Sequence, residues 1–166
     1  QPEAFGLETS FSLMDGYLRQ QYPKDWRRMK KRAIDVLLDH RVNPDDISRT
    51  QFPEIEDLLH QRARGMNRFT VLNIVPEPED TNALWTCYAP PEATFNPSFY
   101  PSFKARLAPY VERLRAHGLM KYACLYGFDE RGEEYYAGIA DLCARLKADF
   151  PDLPVLTTST LFRDYA

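Results

Sequence analysis

Two acids stand side by side where an apolar run stops. In YACLYGFDE, residues 122 to 128 are almost wholly apolar, and Asp129 and Glu130 follow directly. Close carboxylates beneath a partly dry rim drive each other's pKa apart. One then keeps a proton it can donate while the other stays charged, the division of labour that cleavage of a glycosidic bond requires. Neighbours in a regular strand point to opposite faces. Both acids therefore reach one ligand only if the strand breaks here, and Gly127 and Gly132 are expected to supply the freedom for that break. The same acids could instead cap the helix that begins a few residues later.

The elements that must carry this pair alternate short β-like runs with longer helical ones, the pattern of a parallel sheet covered by helices. A first strand is expected over Phe5 to Leu13. A helix follows from about Asp25 to Asp39, where Trp26, Met29, Ala33, Val36 and Leu37 recur at the spacing of one buried face. HRVNPDDISRT, in which Pro44 forbids a continuing helix, reads as a short irregular second strand. The next helix runs from Pro53 to Gly65, with acids in its first turn and arginines in its last. RFTVLNIVP, residues 68 to 76, is apolar nearly throughout, as a strand covered on both sides should be.

Residues 76 to 102 interrupt the rhythm with six prolines among Trp85, Tyr88, Phe95, Phe99 and Tyr100. Loops this long are usually functional, and these rings either form a platform for a flat ligand or pack the loop onto the body. A helix from about Pro101 to His117, the strand that ends in the two acids, a helix from about Glu133 to Asp149 and a last strand, LPVLTTST, complete five strands and four intervening helices. A closed (β/α)8 barrel has eight such units. Five in one domain, from a chain that begins without Met, are expected to be the first part of such an α/β TIM barrel. An open doubly wound sheet is the alternative, but no glycine-rich phosphate loop follows the first strand.

Composition narrows the field. The 166 residues are 44% hydrophobic and 27% charged, those of an ordinary globular domain. A formal charge of -3 offers no basic excess to neutralise phosphates, so nucleic acid is not an expected partner. No apolar run approaches the roughly 20 residues needed to span a bilayer. Cys87, Cys124 and Cys143 lack CxxC spacing and a nearby His, which argues against zinc and against a disulfide framework; Cys124 and Cys143 read as small core residues. No metal or organic cofactor is indicated. His60 and His117, on or at the ends of helices, read as solvated.

YGFDE closing the fourth strand, together with LLDHRVNPDDI over residues 37 to 47, resembles the catalytic barrel of glycoside hydrolase family 123, the N-acetyl-β-galactosaminidases. The resemblance spans most of the chain. It implies substrate-assisted, retaining cleavage of 2-acetamido-β-glycosides, in which the sugar's acetamido oxygen attacks its own anomeric carbon. Glu130 matches the general acid/base, and Asp129 matches the acid that holds the acetamido N–H. His40 and Arg41 resemble family residues that bond sugar hydroxyls, or else stitch the second strand to its neighbours. Asn73, Tyr126 and Trp85 are further candidates to face the sugar. The resemblance also implies export, and it implies later strands and flanking β-rich domains outside these 166 residues. Two other readings remain open: a two-carboxylate retaining glycosidase with its nucleophile on a later strand, and a barrel that binds carbohydrate without cleaving it.

Overall fold

A computed structural model of the chain describes residues 6–74, 96–129 and 131–158. It is a mixed α/β structure in which parallel strands alternate with helices. In chain order the elements are β1 (Phe11–Ser12), α1 (Asp15–Gln21), α2 (Trp26–Asp39), β2 (Pro44–Asp45), α3 (Ile55–Ala63), β3 (Phe69–Asn73), α4 (Phe99–Ala116), β4 (Ala123–Tyr126), α5 (Tyr136–Asp149) and β5 (Val155–Leu156). Backbone ladders join β1 to β2, and β3 to β4 to β5, all parallel.

Between β2 and β3 a side chain replaces the ladder. Asn43 and Asp45 turn their carbonyls to β1, accepting from Phe11 and Leu13, so Pro44 is the residue that faces β3, and it has no N–H to give. Asp45 fills the gap. Its carboxylate accepts the Thr70 N–H at 3.1 Å and the Thr70 hydroxyl at 2.8 Å, and it pairs with Arg49 at 3.0 Å. On one side of it Asn43 and Asn67 exchange amide bonds of 2.7 and 3.1 Å, and on the other the Asn73 N–H donates to the Arg49 carbonyl at 2.8 Å. The contacts advance together along both strands, so β2 and β3 are also parallel and the five strands lie in sequential order. Among the described residues the order does not close on itself, and β1 and β5 are its edges.

Three helices hand over to the next strand through the same joint. After α2, α3 and α4 the chain passes through a left-handed residue, Arg41, Gly65 or Gly118 (φ 58°, 108° and 66°). The next amide, of Val42, Met66 or Leu119, then reaches back to Leu37, Gln61 or Leu114. The left-handed residue's own N–H donates to Leu38, Arg62 or Arg115, and the two hydrogen bonds together satisfy the last helical carbonyls. Gly65 is the residue at which the sequence predicts the end of α3, and Gly118 directly follows the span read as α4.

The sequence expectations differ from the structure at three places. The first strand contracts to Phe11–Ser12, and between it and α2 stands α1, a helix over Asp15–Gln21 that the sequence did not lead us to expect. Helix α1 buries no residue and has Gly16 in its first turn, so it carries no apolar stripe to detect. It is tied to α2 by Lys30–Asp15 at 2.6 Å and by Arg19 stacked over Trp26. Helix α4 begins at Phe99, inside the span read as loop. There Phe99 is buried against Phe103, and the Tyr100 hydroxyl donates to Asp149, so these two rings pack the body. Trp85, Tyr88 and Phe95 lie outside the described residues.

The core lies between β3 and β4 and their helices, with Phe69, Leu72, Leu107, Leu114, Leu125 and Leu146 at 0 or 1% exposure. Helix α4 runs through Pro109, which removes one backbone bond; Pro109 is on the exposed side, where water can serve the freed carbonyl. Cys124 is buried and Cys143 half-buried against the core, with burial pushing both thiols up in pKa.

Candidate functional site

The end of β4 is built by two adjacent residues under opposite constraints. At Gly127 a Cβ would sit 2.8 Å from the Cβ of Ile74, so no side chain fits while β3 and β4 stay this close. The backbone reversal falls one residue later, at Phe128, whose φ is 61°. A bulky residue in the left-handed region stores roughly 1–2 kcal/mol of strain. Its ring is 7% exposed, and its carbonyl accepts from the Thr157 hydroxyl at 3.2 Å, so packing and a cross-strand bond hold the turn in place. The break expected from Gly127 and Gly132 is therefore made at Phe128: Gly132 has an ordinary φ of -75°, and Gly127 is needed for its lack of bulk.

The turn brings Asp129 back over its own strand. The Tyr126 hydroxyl donates to Asp129 Oδ1 at 2.8 Å, and the Thr158 hydroxyl, from the end of β5, donates to the same oxygen. Tyr126 itself is 7% exposed. Its register partner across the ladder is Asn73. Two residues of β4, Cys124 and Tyr126, pair with Thr70 and Asn73, which are three apart on β3. That extra residue returns Asn73 to the face of Thr70 and sets it beside Tyr126. Asn73 is 1% exposed, and its Nδ2 has no hydrogen-bond partner among the described residues. Leaving a buried amide donor unpaired costs about 1–3 kcal/mol, and unpaired groups of this kind collect where a ligand or water completes the bonding.

Asp129, Tyr126 and Asn73 are thus gathered at the carboxyl ends of β3 and β4, while His40 and Arg41 stand elsewhere. These two are exposed residues in the joint between α2 and β2, at the amino end of the strand. His40 ends the helix, and Arg41 takes the left-handed position after it. Glu130 and Trp85 lie outside the described residues. His60 is exposed, bonded to Asp35 at 3.1 Å, and His117 is exposed at the end of α4.

The sequence reading passed over Thr158, Asp45 and Asp46. For the last two a signal was present: the doublet Asp45-Asp46 closes the short second strand, as Asp129 follows the end of β4. Asp45 is spent on the seam to β3. Asp46 faces a cleft of about 760 Å3 between α2, the first turn of α1 and the segment after β2. Burial raises its pKa, against the opposing pull of Arg49. Among the described residues no group of His, Cys, Asp and Glu is arranged to hold a metal ion, and no helix is long and apolar enough to cross a membrane. No family model matches the chain, and no curated protein matches it in sequence.

Proposed function

We propose that the chain forms the first part of a (β/α)-barrel glycoside hydrolase that cleaves 2-acetamido-β-glycosides with the adjacent acids Asp129 and Glu130. The observation that carries this reading is the clamp on Asp129. Two hydroxyls from β4 and β5 fix one carboxylate oxygen at the carboxyl edge of a parallel, sequentially ordered sheet. In barrels that edge is where chemistry sits. A sheet wound in both directions would reverse its strand order at a switch point, and none occurs from β1 to β5.

With Oδ1 occupied, Oδ2 of Asp129 is the oxygen that accepts the acetamido N–H of the sugar. Held so, the acetamido oxygen attacks the anomeric carbon of its own ring, and the negative charge of Asp129 steadies the positive oxazolinium-like intermediate. Glu130 donates its proton to the leaving oxygen and takes one back from the water that opens the ring. Asn73 offers a sugar hydroxyl an N–H donor that has no partner among the described residues, beside Tyr126. The later strands and β-rich domains that the resemblance implies would complete the pocket, and a secreted or periplasmic location follows from the same resemblance.

The test is hydrolysis of two aryl glycosides, the β-linked N-acetylgalactosaminide and its gluco epimer, by the intact protein. Glu130→Gln should lower kcat by about 10²–10⁴, the range of a lost general acid. Asp129→Asn should affect 2-acetamido substrates far more than their 2-hydroxy counterparts. Full activity in both variants ends the assignment.

A further inference from the structure

A second feature of the carboxyl edge is unused by the reading above: the cleft beside β1 and β2. Its volume, about 760 Å3, is in the range of ligand pockets and large for any single sugar ring. It is walled by the segments that leave β1 and β2, including Asp15, Asp46, Arg49 and Thr50, and by Trp26 and Lys30 of α2. Both strands run parallel to β3 and β4, so the cleft and Asp129 belong to the same side of the sheet. One hydrogen bond separates the two regions: the Arg49 carbonyl accepts from Asn73, which stands in register with Tyr126 under Asp129.

The chemistry of the walls selects the ligand. Acids and cations line the cleft in nearly equal number, and several are already matched, Lys30 to Asp15 at 2.6 Å and Arg49 to Asp45 at 3.0 Å. A strongly anionic or cationic ligand would leave one set of wall charges unbalanced, which is costly in a half-closed space. A neutral ligand with many hydroxyls can bond to both sets. Asp46 adds a carboxyl whose Oδ1 takes the Ser48 N–H and whose pKa burial raises against the pull of Arg49.

We propose that this cleft binds the neutral sugar units that follow the residue cleaved at Asp129, so that the substrate is a β-linked oligosaccharide rather than a single glycoside. The inference rests on the hydrolase reading for the identity of the sugar but not for the existence of the cleft site.

Calorimetric titration of the intact Glu130→Gln protein, which keeps the ligand whole, tests it. The probes are N-acetylgalactosamine and a neutral β-linked trisaccharide that ends in it. The trisaccharide should bind at least tenfold more tightly than the monosaccharide. Thr50→Trp, which places an indole in the cleft, should reduce that ratio below threefold, and Asp46→Asn, which keeps an acceptor for Ser48, should lower it by a smaller factor. Equal affinities for the two probes, or a ratio untouched by both substitutions, overturns the proposal. Trisaccharide binding that Thr50→Trp weakens, in a protein that turns over neither aryl glycoside, keeps the cleft and removes the hydrolase. Turnover without a trisaccharide advantage removes the cleft alone.

Discussion

Arg41 has a left-handed backbone in a joint where the two equivalent positions are glycine. A non-glycine residue there carries about 1–2 kcal/mol of strain, offset in part by the greater entropy that glycine loses on folding. Arg41→Gly should therefore stabilise the protein by up to about 1 kcal/mol, read from the midpoint of urea unfolding. The same variant separates two roles. A sugar held by Arg41 would be lost with the side chain; because Arg41 precedes β2 at its amino end and Asp129 follows β4 at its carboxyl end, we expect affinity for N-acetylgalactosamine to stay within twofold. Phe128 is the contrasting case, because its strain, set by its Cβ, lies at the carboxyl edge and its ring is buried. The adjacent acids were visible in the sequence because an apolar run ended on them. The turn that aims Asp129 was not, since an aromatic residue gives no sign that it will take a glycine's conformation.

At the scale of elements, β2 depends on Asp45 as other strands depend on their ladders. Asp45→Ala leaves the Thr70 N–H and hydroxyl without this acceptor inside the body, and leaves the Arg49 guanidinium with the Asp46 carbonyl but no carboxylate partner. Removing one partner of a buried ion pair costs about 3–5 kcal/mol, and a loss of that size should appear in urea unfolding monitored by circular dichroism; a loss below 1 kcal/mol would show that β2 and β3 hold together without it. Helix α4 offers the opposite change. Pro109 is exposed and interior, so Pro109→Ala restores a backbone bond without disturbing the core. The gain should be about 1–3 kcal/mol, measured in the same way. Periodicity found α2 to α5 and the strongly apolar β3 and β4 because a buried stripe or run fixes their residue types. It missed α1, which buries nothing, and overextended the strands at β1 and β5, where among the described residues only two at each keep the ladder. The β2–β3 seam was hidden for a different reason: a bond from a side chain to a neighbouring strand leaves no period at all.

For the molecule as a whole, the sheet presents two edges that are unpaired among the described residues, with apolar residues beside them. Phe11 of β1 is 53% exposed, next to Val36 of α2 at 51%, and Leu156 of β5 is 41% exposed. Open edges of this kind recruit further strands. The 166-residue chain by itself should thus self-associate as its concentration rises, and Phe11→Lys should shift sedimentation towards the monomer; identical profiles for the two chains would show that the β1 edge plays no part. The joint between the first three strands has a further property. Asn43, fully buried, bonds to Thr9 and Asn67 and is followed by Pro44. Asparagine ages to aspartate when the next residue's backbone nitrogen closes a ring onto the side-chain amide, and a proline nitrogen, already carrying three carbons, cannot do so. The missing hydrogen that deprives β2 of a ladder to β3 thereby protects the amide that helps to replace it from this route, and of the two asparagines in the joint Asn67, followed by Arg68, is the one open to that ring closure.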